Sequence, residues 1–396
     1  MKKITLEKVR EMDRIDPFRG KREEFLLPEG IIYLDGNSLG ALPKAVRLRI
    51  RDVTENEWGQ SLIAGWDKHG WVALPGKVGD KIARLIGAKQ GEVVVTESTS
   101  INLFKAVTAA LQVGPKRGTI LTEKGNFPAD LYVLDAIARE SGGKVKIKRV
   151  RREDLIASLT DEIAILCLTH ANHKTSVRHD MAALTRRARE AGAMTIWDLS
   201  HSAGALPVDL NGCGADFAIG CGYKFLNGGP GGSGYIFVAA RHQNKILPAL
   251  AGWMGHVRPF DFSSDYQPVS GIARQLTGTP FVIGAAALDA ALEVFDGVDM
   301  EAVGEKAGKL GDLFIGLVEA ECPEMKLACP REATGRTSQV TFTYPEAQKI
   351  MAEVVKRGVV ADFRPPDVMR FGLAPLYNSY EDVYRAVLTL KEIFKQ

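Results

Sequence analysis

The chain is poor in cysteine, lacks any long apolar run and carries almost no net charge. Its five cysteines, Cys167, Cys213, Cys221, Cys322 and Cys329, are scattered through 396 residues and never spaced CxxC. An odd, dispersed set fits neither a disulfide framework nor a zinc site. No apolar stretch approaches the roughly 18 residues of a membrane span. The N-terminus, MKKITLEKVREMDRIDPFRG, has no hydrophobic stretch behind its early lysines, so no signal peptide is expected. A formal net charge of +3 leaves no electrostatic footprint for nucleic acid or an acidic membrane. These absences point to a cytoplasmic protein whose partner is a small molecule.

What is present is a large apolar fraction, 45% of the residues. Single cores stop growing at about 250–300 residues, so a chain of this length is expected to form two lobes. From about residue 90, β-rich runs alternate with helical patterns. EVVVT, GTILTE, VKIKRV, IAILCLTH, MTIWDLSH and DFAIGCGYKF read as strands. INLFKAVTAALQ, ADLYVLDAIARE, EDLIASL and MAALTRRAREAG read as helices between them. Such alternation implies an α/β fold, a mostly parallel sheet flanked by helices. After about residue 285 long helices and a few short strands predict a smaller α+β domain, with a last helix running to Gln396. The expected division is an N-terminal segment 1–45 associated with the small domain, a large domain 46–285 and a small domain 286–396.

In open parallel sheets ligands bind beyond the carboxyl ends of the strands, and here those ends carry polar residues. EVVVT is followed by Glu97-Ser98-Thr99-Ser100 at the start of a helix. A helix N-terminus can hold a phosphate on its free N–H groups; taken alone, an ordinary N-cap explains one such hydroxyl. GTILTE leads to Asn126-Phe127-Pro128-Ala129-Asp130, where the aromatic could stack on a planar ring or act as a hydrophobic staple beside an Asp cap. IAILCLTH ends at Thr169 and His170, and MTIWDLSH at Asp198 and His201. A carboxylate behind the apolar pair Ile196-Trp197 is costly to bury without a positive partner. DFAIGCGYKF then delivers Lys224, and a lysine in such a place can form a Schiff base with a carbonyl cofactor. An acid on one strand end and a lysine on the next is the pattern of a pyridoxal 5'-phosphate (PLP) site, in which the acid keeps the pyridine nitrogen protonated.

Two other readings fail on context. Gly229–Gly234 spells GxGxxG, but it contains Pro230, precedes the strand-like YIFVAA and lacks the downstream acid of a dinucleotide site. His170, His173 and His179 match no metal-ligand spacing, so no metal is expected.

Four segments make the chain recognisable: LDGNSLGALPKAV, TIWDLSHSAGALPVDLNGCGADFAIGCGYKFLNGGPGGSGYIFV, AGWMGHVRPFDF and VMRFGLAPLYNSYEDV. Together they resemble kynureninases of bacterial type, members of the fold-type I, class V family of PLP-dependent enzymes, and the likeness spans the chain. It implies hydrolysis of L-kynurenine, and more weakly of 3-hydroxy-L-kynurenine, to anthranilate and L-alanine. Lys224 would then hold the cofactor and move the proton at the substrate Cα. Asp198 would pair with the ring nitrogen, Phe127 would stack on the ring, and His201 would lie alongside. Thr99, Ser100, Asp130, Thr169 and Tyr223 would hold the cofactor and its phosphate, with Tyr223 also a candidate base for water. Trp253 and Thr279 would cross the interface of a homodimer with shared active sites. Arg370 would clamp the substrate carboxylate, with Ser38 beside it; read from its surroundings alone, Arg370 could be a surface arginine. Animal members, which favour 3-hydroxykynurenine, carry His and Asn where this chain has Trp66 and Thr279, although GWDKHGW also offers His69 and Trp71. The implied preference is for kynurenine itself. The competing family reading is a cysteine desulfurase or aminotransferase of the same superfamily. A desulfurase carries its cysteine shortly before the substrate arginine, where RGVVADFRPPDVMR has none.

Overall fold

The computed structural model describes residues 4–395; Lys2, Lys3 and Gln396, to which the last helix was expected to run, lie outside them. The N-terminal segment contributes the short strand β1 (Ile32–Tyr33). The main sheet is built from β2 (Val93–Val95), β3 (Thr119–Glu123), β4 (Lys146–Val150), β5 (Ile163–Thr169), β6 (Met194–Asp198), β7 (Phe217–Cys221) and β8 (Gly234–Val238). A second region adds β9 (Lys326–Leu327), β10 (Gln339–Thr343), β11 (Val359–Val360), β12 (Asp362–Arg364) and β13 (Val368–Gly372).

The large sheet runs in the order β2-β8-β7-β6-β5-β3-β4. β8 alone runs opposite to the other six strands. Strands β5, β7 and β8 are buried along their whole length, as expected of a sheet covered on both faces, whose strands read as unbroken apolar runs. One core packs Val95, Leu166, Trp197 and Phe237 under one face; another packs Val94, Ile165, Ile196 and Ile236 under the other. This is the side-chain alternation of period two along each strand.

The smaller region has its own sheet, β12-β13-β10-β9, entirely antiparallel. Its core joins Phe314, Phe342, Phe371 and Leu390 to Val9 and Leu34 from the N-terminal segment. That segment is tied there by parallel pairing of β1 with β11 and by a buried ion pair, Lys306 Nζ to Asp16 Oδ2 at 2.6 Å. It also reaches the large sheet. Gly40 donates its N–H to the Tyr223 carbonyl at 2.8 Å, and a Cβ there would sit 2.3 Å from the Lys224 carbonyl oxygen. Only glycine allows that approach, and so the GNSLG motif is seated against the lysine loop.

Lys224 lies not in β7 but in the turn beyond it, because β7 ends at Cys221 and the chain must reverse into antiparallel β8. Among the described residues no helix is long and apolar enough to cross a membrane.

Candidate active site

Parallel register sets the floor of the site. Thr169 and Asp198 are paired across β5 and β6, and Asp198 is paired with Ile219 of β7, so the polar strand ends lie side by side. Beyond them opens a cavity of about 370 Å³. Its wall brings together Thr99, Ser100, Phe127, Asp130, Asp198, His201, Tyr223 and Lys224.

Asp198 is buried, and its Oδ1 accepts from the Ser200 amide at 2.8 Å and the Ser200 hydroxyl at 2.6 Å. Burial pushes its carboxyl above the usual range even against those hydrogen bonds. Asp130 is likewise pushed well up, first by burial and then by the charge of Asp198, and its Oδ2 is buried without a partner. Lys224 Nζ stands 2.9 Å from His201 Nε2. Burial, and then the charges of Lys224 and Arg370, hold His201 well below the usual imidazole range. His201 is therefore neutral and accepts from the lysine. Lys224 Nζ lies 5.7 Å from the centre of the Phe127 ring and 5.8 Å from that of Tyr223. Burial also raises the Tyr223 phenol.

One end of the cavity is built by the helix Thr99–Val113, N-capped by Ser98, and faced by Ser233 and Gly234. A Cβ at Gly234 would come within 3.1 Å of the Thr99 amide nitrogen, so glycine keeps this helix start open to the cavity, and such a start can hold an anion. A planar, anionic cofactor with a basic ring nitrogen fits these residues. Asp198 has no cationic side chain paired with it among the described residues, Phe127 offers a ring face, and free hydroxyls and amides cluster at the helix start.

Six expected residues lie outside this wall: Thr169, Thr279, Trp253 and Trp66, and also Arg370 and Ser38. Thr169 is buried and gives its amide to Asn126 Oδ1 at 2.8 Å. Thr279 lines a small adjoining recess that shares Glu97, Ser233 and Phe281 with the main cavity. Trp253 stacks on Phe262 at 5.9 Å and meets Phe260 edge-on at 5.7 Å. Trp66 meets Trp71 edge-on at 5.7 Å, beside His69.

Arg370 is no surface arginine; it is 1% exposed. Its Nε donates to Asp362 Oδ1 at 2.5 Å, its Nη2 to Asp362 Oδ2 and, at 3.0 Å, to Ser38 Oγ, and its Nη1 to the His173 carbonyl at 2.5 Å. His173 in turn meets Phe127 edge-on at 5.0 Å, linking the arginine to the cavity. Sequence reading missed Ser200, Ser233, His173 and Asp362. Ser200 had a signal, since a serine two residues after a buried aspartate can cap it; Asp362 and His173 are brought to Arg370 only by folding.

Comparison with known proteins agrees with this geometry. Residues 303–390 match the family model of the kynureninase C-terminal domain. A kynureninase of Deinococcus radiodurans is 46% identical, the match covering 99% of this chain and 97% of the relative. A kynureninase of Burkholderia pseudomallei is 44% identical, covering 98% and 95%. Among solved structures, a cysteine desulfurase from Thermococcus onnurineus superposes with a TM-score of 0.80 at 21% identity, covering 96% of this chain and 98% of that one. A C-DES mutant with glycine covalently linked to its PLP cofactor gives 0.80 at 16% identity, covering 94% and 99%. At such identities these neighbours establish the PLP-dependent fold type I alone, whereas full-length identity above 40% establishes more: the chain belongs to the kynureninase family.

Proposed function

We propose that the chain is a PLP-dependent hydrolase that splits the Cβ–Cγ bond of L-kynurenine with one water, giving anthranilate and L-alanine. The observation that carries this reading is the meeting of Lys224, Asp198, Phe127 and the helix start at Thr99 in one cavity of a chain related over its full length to kynureninases. When bound, PLP supplies the electron sink that makes the substrate Cα proton acidic and the Cβ–Cγ bond labile.

In this reading the Lys224 amine holds the cofactor and then carries the proton at Cα. His201, kept neutral by burial, accepts from that amine and fixes its direction. Asp198, oriented by its two bonds from Ser200, keeps the ring nitrogen protonated. Phe127 covers the ring. Thr99 and Ser100 offer hydroxyls and helix amides to the phosphate; Asp130, in the first turn of the helix Pro128–Glu140, and Thr169, the last residue of β5, support cofactor binding. Tyr223 is our candidate for the group that meets the water attacking the γ-carbonyl; because burial raises its phenol, it would donate a hydrogen bond there and take up a proton only after losing its own. Arg370 and Ser38 bind the substrate's α-carboxylate.

We also place the enzyme in the cytoplasm, in keeping with five free cysteines, and as a homodimer. Phe260, Phe262 and Phe281 are 51%, 76% and 60% exposed, beside Trp253 and Thr279. An aromatic surface of this kind is suited to burial by a second copy, which would carry Trp253 and Thr279 toward the neighbouring site.

Desulfurase chemistry is disfavoured by the thiols. Burial raises all five cysteines, Cys322 to about 12, and a protonated thiol is no nucleophile. The test is direct. Purified, PLP-loaded protein mixed with L-kynurenine should release anthranilate, read by its fluorescence, with an equal amount of alanine. Lys224→Ala should abolish both. Visible absorbance from lysine-bound cofactor without anthranilate would refute the hydrolase.

A further inference from the structure

We infer that Asp362 is a positioning residue for the substrate carboxylate: by binding the side-on edge of the Arg370 guanidinium, it turns the opposite, end-on edge toward the cavity. This inference rests on the reading of Arg370 as the carboxylate clamp.

A guanidinium has five N–H donors in a rigid plane, and here four are engaged. Nε and one Nη2 hydrogen take the two oxygens of Asp362. The other Nη2 hydrogen goes to Ser38 Oγ, and one Nη1 hydrogen goes to the His173 carbonyl. The two edges thus differ in kind. The side-on edge is held by an anion, in the paired geometry that arginine and carboxylate adopt most favourably. The end-on edge is held only by neutral acceptors, which an incoming carboxylate can outcompete. It lies against His173, whose ring meets Phe127 of the cavity wall edge-on.

Asp362 is itself fixed. Its Oδ2 accepts from Ser38 Oγ at 2.6 Å and pairs with Arg364 at 2.9 Å. Against the cost of burial, Arg370 and then Ser38 and Arg364 keep it below the usual carboxylate range, so it stays charged. The antiparallel register of β12 on β13 places Asp362 opposite Arg370, and β1, at the root of the Ser38 turn, pairs with neighbouring β11. Arg370 and Arg364 face Asp362, while burial and then the charge of Asp362 lift nearby Asp35 to about 7, so with Asp35 protonated the cluster keeps a positive charge for a substrate anion.

The alternative is that Asp362 is a placeholder that occupies the fork until substrate expels it. The two ideas predict opposite signs. Asp362→Asn removes the anchoring charge and keeps the shape. If Asp362 positions the arginine, KM for L-kynurenine should rise about 10- to 100-fold, the value of charge-assisted hydrogen bonds of about 1.5–3 kcal/mol, with a smaller change in kcat. The affinity for L-alanine, followed by the change in cofactor absorbance, should weaken in parallel. Asp362→Glu should recover part of the loss, and it keeps the ion pair should the asparagine variant fold poorly. An unchanged KM in Asp362→Asn, or a lower one, would overturn the inference. Arg370→Ala separates this from the underlying reading. If it weakens alanine binding while Asp362→Asn does not, the positioning role alone fails; if it does not weaken alanine binding, the clamp and the positioning role fail together.

Discussion

Replacing Asp198 by asparagine should move the stability of the apo protein and the activity of the loaded enzyme in opposite directions. In the apo protein Asp198 is a buried carboxylate that burial pushes up, with two hydrogen bonds from Ser200 and no paired cation among the described residues. A buried charge relieved only by those bonds and, less, by the charge of Lys224 costs stability. Asparagine keeps an oxygen for both Ser200 donors and removes the charge, so apo Asp198→Asn should melt at or above the wild-type temperature. In the loaded enzyme, on the reading proposed above, the same carboxylate would pair with a protonated ring nitrogen, and losing one partner of a buried pair costs about 3–5 kcal/mol. At about 1.4 kcal/mol per tenfold, kcat should fall between about 100- and 10,000-fold. The stabilisation gained on adding PLP should shrink as well. Anthranilate fluorescence gives the rate, and melting curves with and without PLP give the linkage. A variant that keeps more than a tenth of the wild-type kcat would refute the pairing. So would an apo protein destabilised as much as the loaded one.

Three further outcomes are expected. Thr99→Ala and Ser100→Ala should each weaken PLP binding about tenfold, the value of one hydrogen bond to a charged group, measured by titrating apo protein; unchanged affinity would move the phosphate elsewhere. Burial, and then the charge of Asp362, lifts Asp35 from 3.8 to about 7, so folding takes up a proton between those values. Its contribution to stability is present in acid and lost as pH rises through about 7, and urea midpoints for Asp35→Asn should lack that decline; parallel wild-type and variant curves would refute the shift. If a second copy brings Trp66 and Thr279, which lie outside this chain's own cavity wall, to the substrate ring, the enzyme should prefer L-kynurenine to its 3-hydroxy derivative, since neither offers the ring hydroxyl an amide; comparable kcat/KM for the two would sink that assignment.

Much of the large sheet was legible because each strand is short, apolar and followed by a helix with its own amphipathic pattern. The strand ends were legible for the same reason: Asp198 and Lys224 stand out against apolar runs, where a charged residue needs a partner. Ser38, Trp66 and Arg370 drew attention through resemblance, since nothing in the periodicity around them marks a site. Trp66, packed on Trp71, stands outside the wall of this chain's own cavity.

The sequence by itself determined the α/β architecture, the order of the strands along the chain and the chemical character of the cavity floor. All of these follow from local patterns of period two and 3.6 and from charges stranded on apolar strands. Only the tertiary structure decided that β8 runs against its neighbours, that Gly40 seats the N-terminal turn on the lysine loop, and that Asp362, His173 and Ser38 meet at Arg370. Those contacts join residues far apart in the chain, and long-range register depends on how whole elements pack, which no local pattern encodes.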